Sequence, residues 1–205
     1  VCVCVCFVET GFDLGWRGSA SDCGKTCTDT VPAHGIIAVS LTGYEGSWNG
    51  AGTTASPGPD GATCTPEAYD NCYADCGGCA DNCWWTSCLD SVALTIDVLD
   101  EIEQSLCINT SNIYATGCSN GGIFMFELAS DERIASRLAG VFPVVGLPHN
   151  GFNRPPAVKG MHIFGMYGTS DTVIPPLSNT DDPTKSYDTA SPGWFYSTAR
   201  NVTNL

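Results

Sequence analysis

Residues 113–126 carry an apolar run, Ile113-Tyr114-Ala115-Thr116, that breaks at Gly117-Cys118-Ser119-Asn120-Gly121-Gly122 and resumes at Ile123. No charged residue interrupts the passage. A chain that goes from strand to helix through small residues alone must do so in a sharp turn. Gly117 to Gly121 fits the pattern G-x-S-x-G, in which the serine sits strained at the apex and bulkier neighbours would collide. Such a turn presents the hydroxyl at the end of a sheet. It also aims the backbone N–H of the next residue, Asn120 at the helix start, toward a developing oxyanion. Ser119 therefore reads as a nucleophile. With 23 glycines in the chain the pattern alone is weak; the strand before it and the helix after it give it meaning.

The same alternation runs along the chain. Residues 1–8 and 35–41 (GIIAVSL) read as strands buried on both faces. Val92, Ile96, Leu99, Ile102 and Leu106 recur at spacings of three and four, which predicts an amphipathic helix over 91–106 with Asp90 as its N-cap. Strands are predicted again at 138–146 and 161–168. Buried strands alternating with helices specify an α/β fold around a mostly parallel sheet, and 205 residues suit a single domain over 1–205. Residues 43–89 form a long irregular insertion rich in cysteine. Toward the end, Ser191 and Pro192 suit the start of a helix, and Trp194, Phe195, Val202 and Leu205 fall at helical spacing.

Charge and cysteine narrow the function. The net charge of −14, from 22 acids against 8 bases, repels phosphate backbones and anionic lipids, which argues against nucleic acid and membrane partners. Of 13 cysteines, Cys64, Cys72, Cys76, Cys79, Cys83 and Cys88 crowd one stretch. An even number in a Gly- and Asp-rich loop reads as a disulfide staple in a secreted protein, with connectivity undetermined. The rival is zinc, because Cys76-Gly-Gly-Cys79 has ligand spacing, but no histidine lies near and the other spacings do not repeat it. Two glycosylation sequons, Asn109-Thr-Ser and Asn201-Val-Thr, agree with secretion. Gly121-Gly122 lacks the Lys-Ser/Thr of a phosphate-binding loop.

A nucleophilic serine needs an acid and a base. Asp171, in GTSDTVIPP, follows a predicted strand and comes after Ser119, in the order Ser, Asp, His. Its role would be to orient an imidazole and stabilise its charged form. The histidines are His34, His149 and His162, and none follows Asp171. His34 reads as a strand-end residue and His162 as packed in its strand, while His149 follows the strand after Ser119 in the wrong chain order. Trp48, in GSWNG, is a candidate platform for a sugar or phenolic ring, with core packing as the alternative; Trp84-Trp85 carry the same pair of readings.

YATGCSNGGIFMFELA, DSVALTIDVLDEIEQSLCI and MYGTSDTVIPP together resemble the secreted α/β-hydrolase esterases that include polyhydroxybutyrate depolymerases and feruloyl or acetylxylan esterases. The resemblance covers about residues 11–205. It implies an α/β-hydrolase fold, Ser119 as nucleophile, Asp171 as triad acid, no metal or organic cofactor, and an ester of cell-wall polysaccharide or a short-chain polyester as substrate. In that family the first strand ends in a His-Gly loop that supplies a second oxyanion N–H. Here Leu14 stands at the histidine and the Trp16 amide is the candidate donor. Tyr167 likewise stands where the family has a histidine before the glycine of the acid loop. The family's base lies downstream of the acid, so the expectation is a histidine in sequence following Leu205, with His149 as the alternative. The competing reading is a non-catalytic esterase-like module that has lost its base.

Overall fold

The computed structural model describes residues 2–8, 35–43, 48–50, 90–150, 153–177, 187–188 and 193–203. Trp16, His34, Ser191, Pro192, the cysteine cluster from 64 to 88 and Trp84-Trp85 lie outside the described residues, and so do the disulfide and zinc readings that rest on them.

Five strands, β1 (Cys2–Val8), β2 (Ile36–Thr42), β3 (Ile113–Cys118), β4 (Gly140–Val144) and β5 (His162–Ile163), form one parallel sheet in the order β2-β1-β3-β4-β5. The fold is α/β. Helix α1 (Ser91–Ser105) connects β2 to β3 and α2 (Asn120–Ser130) connects β3 to β4. Both crossovers travel the same way across the sheet, so right-handed connection puts both helices on one face. The core confirms it. Ile37, Val39 and Leu41 of β2, Ile113 and Ala115 of β3 and Val141 of β4 meet Val92, Leu99 and Ile102 of α1 and Phe124, Met125 and Leu128 of α2.

The strand order reverses between β1 and β3, because β2 lies on one side of β1 and everything later on the other. Crevices at the carboxyl ends of strands beside such a reversal are where α/β sheets place their ligands. Ser119 directly follows β3, at that edge.

Local chemistry sets the helix ends. Asp90 caps α1 as its sequence position predicts, its carboxylate accepting from the Ala93 N–H at 2.9 Å. Arg133 donates to Asp90 at 2.6 Å and to Asp131, the residue that ends α2, at 2.7 Å, so one guanidinium ties the two helices together. Partial burial works against the Asp90 carboxylate, but the bonds from Arg133 and Ala93 outweigh it and hold its pKa below the ordinary value. That contribution is present above the unfolded carboxyl range and is lost as pH falls through the depressed folded value.

Three expectations are corrected. β2 is the edge strand of the described sheet, half-buried on one face, with Ala38, Ser40 and Thr42 exposed on the other; small residues conceal which face meets solvent. The strand predicted at 161–168 shortens to His162–Ile163 plus a single bridge from Val144 to Met166, and His162 is exposed, not packed. The predicted C-terminal helix begins late. Gly193–Trp194 (β7) pairs antiparallel with Tyr187–Asp188 (β6), and among the described residues from 193 on only Ala199–Thr203 (α3) is helical. The reason is competition for backbone groups. His149 bridges Tyr196, the Asn150 N–H donates to the Phe195 carbonyl and the Ser197 N–H to that of Pro148, which holds 195–197 extended.

Candidate active site

Ser119 has φ 54° and ψ −120°, a region that costs a non-glycine residue about 1–3 kcal/mol. Its surroundings enforce that conformation. The Ser119 N–H donates to the Val144 carbonyl at 3.0 Å, and the Ile123 N–H donates to the Ser119 carbonyl at 2.9 Å. The turn also closes too tightly for side chains. A Cβ on Gly117 would lie 2.3 Å from the Gly121 oxygen, and one on Gly122 would lie 2.7 Å from the Val144 oxygen. Gly146 closes the far side, where a Cβ would meet the Gly122 carbonyl carbon at 2.4 Å. The serine side chain makes no capping bond to its own helix.

Val145, immediately after β4, has φ 44°, an outlier for a β-branched residue. Cys118 pairs with Val144 in register, so the strained residues 119 and 145 sit side by side at one sheet edge. Apart from glycines they are the only described residues with positive φ. Backbone strain clusters at functional sites, which makes this edge the candidate.

Asp171 reaches the same edge through β5. The Val145 N–H donates to the Met166 carbonyl at 2.8 Å, which lays the chain leading to Asp171 along the end of β4. Since β3 and β5 flank β4, the two loops are about 10 Å apart across the sheet, two strand spacings. One carboxylate oxygen of Asp171 accepts from the Val173 N–H at 2.8 Å and the Ile174 N–H at 3.0 Å. That fixes the carboxylate and leaves the second oxygen to orient a partner. Ile174 packs with Ile123 of α2 and Leu147, so the acid loop and the helix behind Ser119 share one small core.

The Asn120 side chain is fully buried and engages both polar groups of the Trp48 backbone. The Trp48 N–H donates to Asn120 Oδ1 at 2.7 Å, and Asn120 Nδ2 donates to the Trp48 carbonyl at 3.1 Å. The Trp48 ring is 0% exposed and stacked on Phe124 at 5.4 Å. Trp48 is therefore a core residue, and the reading of it as a platform for a substrate ring is corrected. Beside it, the Asn49 N–H donates to Ser91 Oγ at 3.1 Å, joining the two borders of the segment between them. The sequence signalled neither Gly146 nor this pairing: Gly146 looks like any glycine after a strand, and Asn120 and Trp48 are 72 residues apart.

Among the histidines, His162 is paired with Gly140 at the amino end of β4, while Ser119 follows the residue paired with Val144 at its carboxyl end. Four residues of strand separate those ends by about 13 Å, which excludes His162 as a base for Ser119. His149 is 1% exposed with its ring 4.8 Å from Tyr196. Trp16, the second candidate oxyanion donor, lies outside the described residues. Asn109 is exposed in a turn where its side chain accepts from the Ser111 N–H at 3.0 Å, and Asn201 is exposed on α3. Among the described residues no group of three or more His, Cys, Asp or Glu is placed to hold a metal ion.

Tyr167 folds back over Gly165, whose added Cβ would lie 2.2 Å from the phenol oxygen, and that oxygen is buried with no hydrogen-bond partner among the described residues. Burial raises its pKa to about 12. The unfolded phenol ionises near the ordinary value of 10, so stability is present below pH 10 and falls as pH rises from 10 toward 12. A buried unpaired hydroxyl is a cost. Tyr167→Phe is therefore expected to stabilise the protein by about 1 kcal/mol, read by urea denaturation, and to flatten the loss of stability above pH 10. A destabilised variant would place a hydrogen bond on that oxygen.

No family model matches the chain. It is 28% identical over 98 residues to a bifunctional acetylxylan esterase/xylanase of Neocallimastix patriciarum, a match covering 48% of this chain and 14% of that protein's length. The relationship is distant and esterase-like at most: an α/β chain with a serine on a strained strand-to-helix turn, similar over about half its length to a small part of a bifunctional acetylxylan esterase/xylanase.

Proposed function

We propose that the protein is a secreted serine esterase of the α/β-hydrolase type that hydrolyses ester substituents of plant cell-wall polysaccharide. The observation that carries the reading is the backbone of Ser119, held at φ 54° between a parallel strand and a helix. A merely tight turn would place glycine at that position; a serine endures the strain where its hydroxyl must be presented.

Ser119 Oγ attacks the ester carbonyl carbon while a histidine takes its proton. The carbonyl oxygen gains the negative charge and is held by the N–H groups of Asn120 and Trp16. Collapse of the tetrahedral species breaks the bond to the alcohol, which leaves with the proton from the imidazolium. Water, deprotonated by the same histidine, then frees the acid and regenerates Ser119. Asp171, its one oxygen fixed by two amides, holds the imidazole with the other. Of the described histidines, His162 is at the wrong end of the sheet and His149 is enclosed against Tyr196, so neither is proposed as the base.

The acetylxylan esterase named in the relative favours acetyl esters over feruloyl esters and polyester. The test is release of acetate from acetylated xylan, ferulate from feruloylated arabinoxylan and hydroxybutyrate from its oligomer, each by the full-length protein. Acetate release at least tenfold above the others is expected. Equal inactivity on all three, with no hydrolysis of an aryl acetate, would refute the esterase reading and favour a binding module. Loss of activity in His149→Ala without loss of stability would move the base to His149.

A further inference from the structure

Strain at Ser119 persists only if its neighbours leave it no alternative. Backbone contacts among the turn, the end of β4 and Gly146 supply part of that constraint. Another part comes from a distant segment. Residues 48–50 run along α2 and touch it at successive turns: the Trp48 backbone meets the Asn120 side chain, the Trp48 ring stacks on Phe124, and Gly50 lies against Glu127, where a Cβ would approach to 2.5 Å. Glu127 is in turn paired with Arg154. Packing at Phe124 and Glu127 also holds the segment to the helix. The amide pair at Asn120 does something else, because it acts on the residue whose own backbone N–H follows the nucleophile.

A carboxamide matches a backbone N–H and C=O simultaneously, with one acceptor and one donor in a plane. Both bonds are made in a fully buried place, where exchange with water does not compete. Rotation of the helix's first residue about its own bonds would break both at once. We propose that the Asn120 side chain is a positioning residue, locking the amino end of α2 so that the Asn120 N–H stays aimed at the oxyanion through the reaction. This rests on the esterase reading above. Asn120 thus has two separate duties: its backbone acts on the substrate, and its side chain holds that backbone still.

The test uses the full-length enzyme, p-nitrophenyl acetate, and a fluorophosphonate end-point to count active sites. Asn120→Ala removes both bonds. Asn120→Asp keeps the shape and the acceptor but loses the donor to the Trp48 carbonyl. Both are expected to lower kcat per labelled site by about 10- to 100-fold with KM changed less than about threefold, the size expected for a misaligned oxyanion donor. In Asn120→Asp the ratio of variant to wild-type kcat should rise as pH falls, since the neutral acid regains an O–H donor for the Trp48 carbonyl. Phe124→Leu, which loosens the Trp48 stack but leaves the amide pair, should lower the melting temperature and leave kcat per site within about twofold. Wild-type kcat per site in both Asn120 variants, with only the melting temperature lowered, would overturn the proposal. Should Asn120→Ala yield no soluble protein, the Asn120→Asp pH ratio decides: a flat ratio overturns it. Absence of labelling in the wild type would instead bring down the esterase reading, and this one with it.

Discussion

Ser119→Ala is expected to abolish fluorophosphonate labelling and to lower aryl-ester turnover by at least about 10⁴-fold, while the protein stays folded. The hydroxyl makes no capping bond to its helix, so its removal leaves no polar group stranded. Ser119→Gly should be equally inactive yet more stable than the wild type by about 1–2 kcal/mol, because glycine adopts φ 54° without penalty. The two variants together separate the chemistry of the side chain from the conformation of the backbone. Denaturant titration of Ser119→Gly that showed no gain would mean the turn is not strained, and the case for a nucleophile at its apex would lose its main support. Labelling that survived in Ser119→Ala would place the reactive group elsewhere.

The largest stability effect is expected at Gly146→Ala. The new methyl would lie within 2.4–2.6 Å of three backbone atoms of Gly122 and Ile123. Backbone in the first turn of a helix cannot rotate aside as a side-chain tip can, so β4's end and α2 must separate. A cost of at least about 3 kcal/mol is expected, or a fall of roughly 6–12 °C in melting temperature for a chain of this size. Activity should fall too, because the same displacement stretches the bond from the Ser119 N–H to the Val144 carbonyl. Gly160→Ala is the control. Its φ is 82° and nothing lies within 4 Å of an added Cβ, so it should cost only the backbone penalty of about 1 kcal/mol. Equal melting temperatures for the two variants would contradict the packing described at the elbow.

The turn at Ser119 was legible in the sequence because its pattern is local: an apolar run, small residues, then another apolar run. The cap at Asp90 was legible for the same reason. Strand order is not local, and so β2 was read as buried on both faces although its Ala38, Ser40 and Thr42 face outward at the sheet edge. The C-terminal pattern misled because helical spacing at Trp194 and Phe195 competes with a partner 47 residues away, the strand-like pairing of Tyr196 with His149. Trp48 misled in another way. A tryptophan set among glycine, serine and asparagine looks exposed, and only the fold reveals that Phe124 waits for its ring. Asp171 was singled out from its place after a predicted strand, but the two amides that fix its carboxylate come from residues two and three positions on and become visible only once the loop has closed.

The bond from the Asn49 N–H to Ser91 Oγ brings together residues 42 apart in sequence. With those borders held against each other and against α2, the sheet and the serine turn do not sense how much chain lies between them. The entropic cost of closing a connection grows only with the logarithm of its length, about 0.6 kcal/mol for each doubling. A lineage could therefore lengthen, shorten or replace the intervening sequence many times over while Ser119 and Asp171 kept their seats. On this view the join at residues 49 and 91 is a socket, into which intervening sequence of different lengths can be set without disturbing the frame that holds the Ser119 turn.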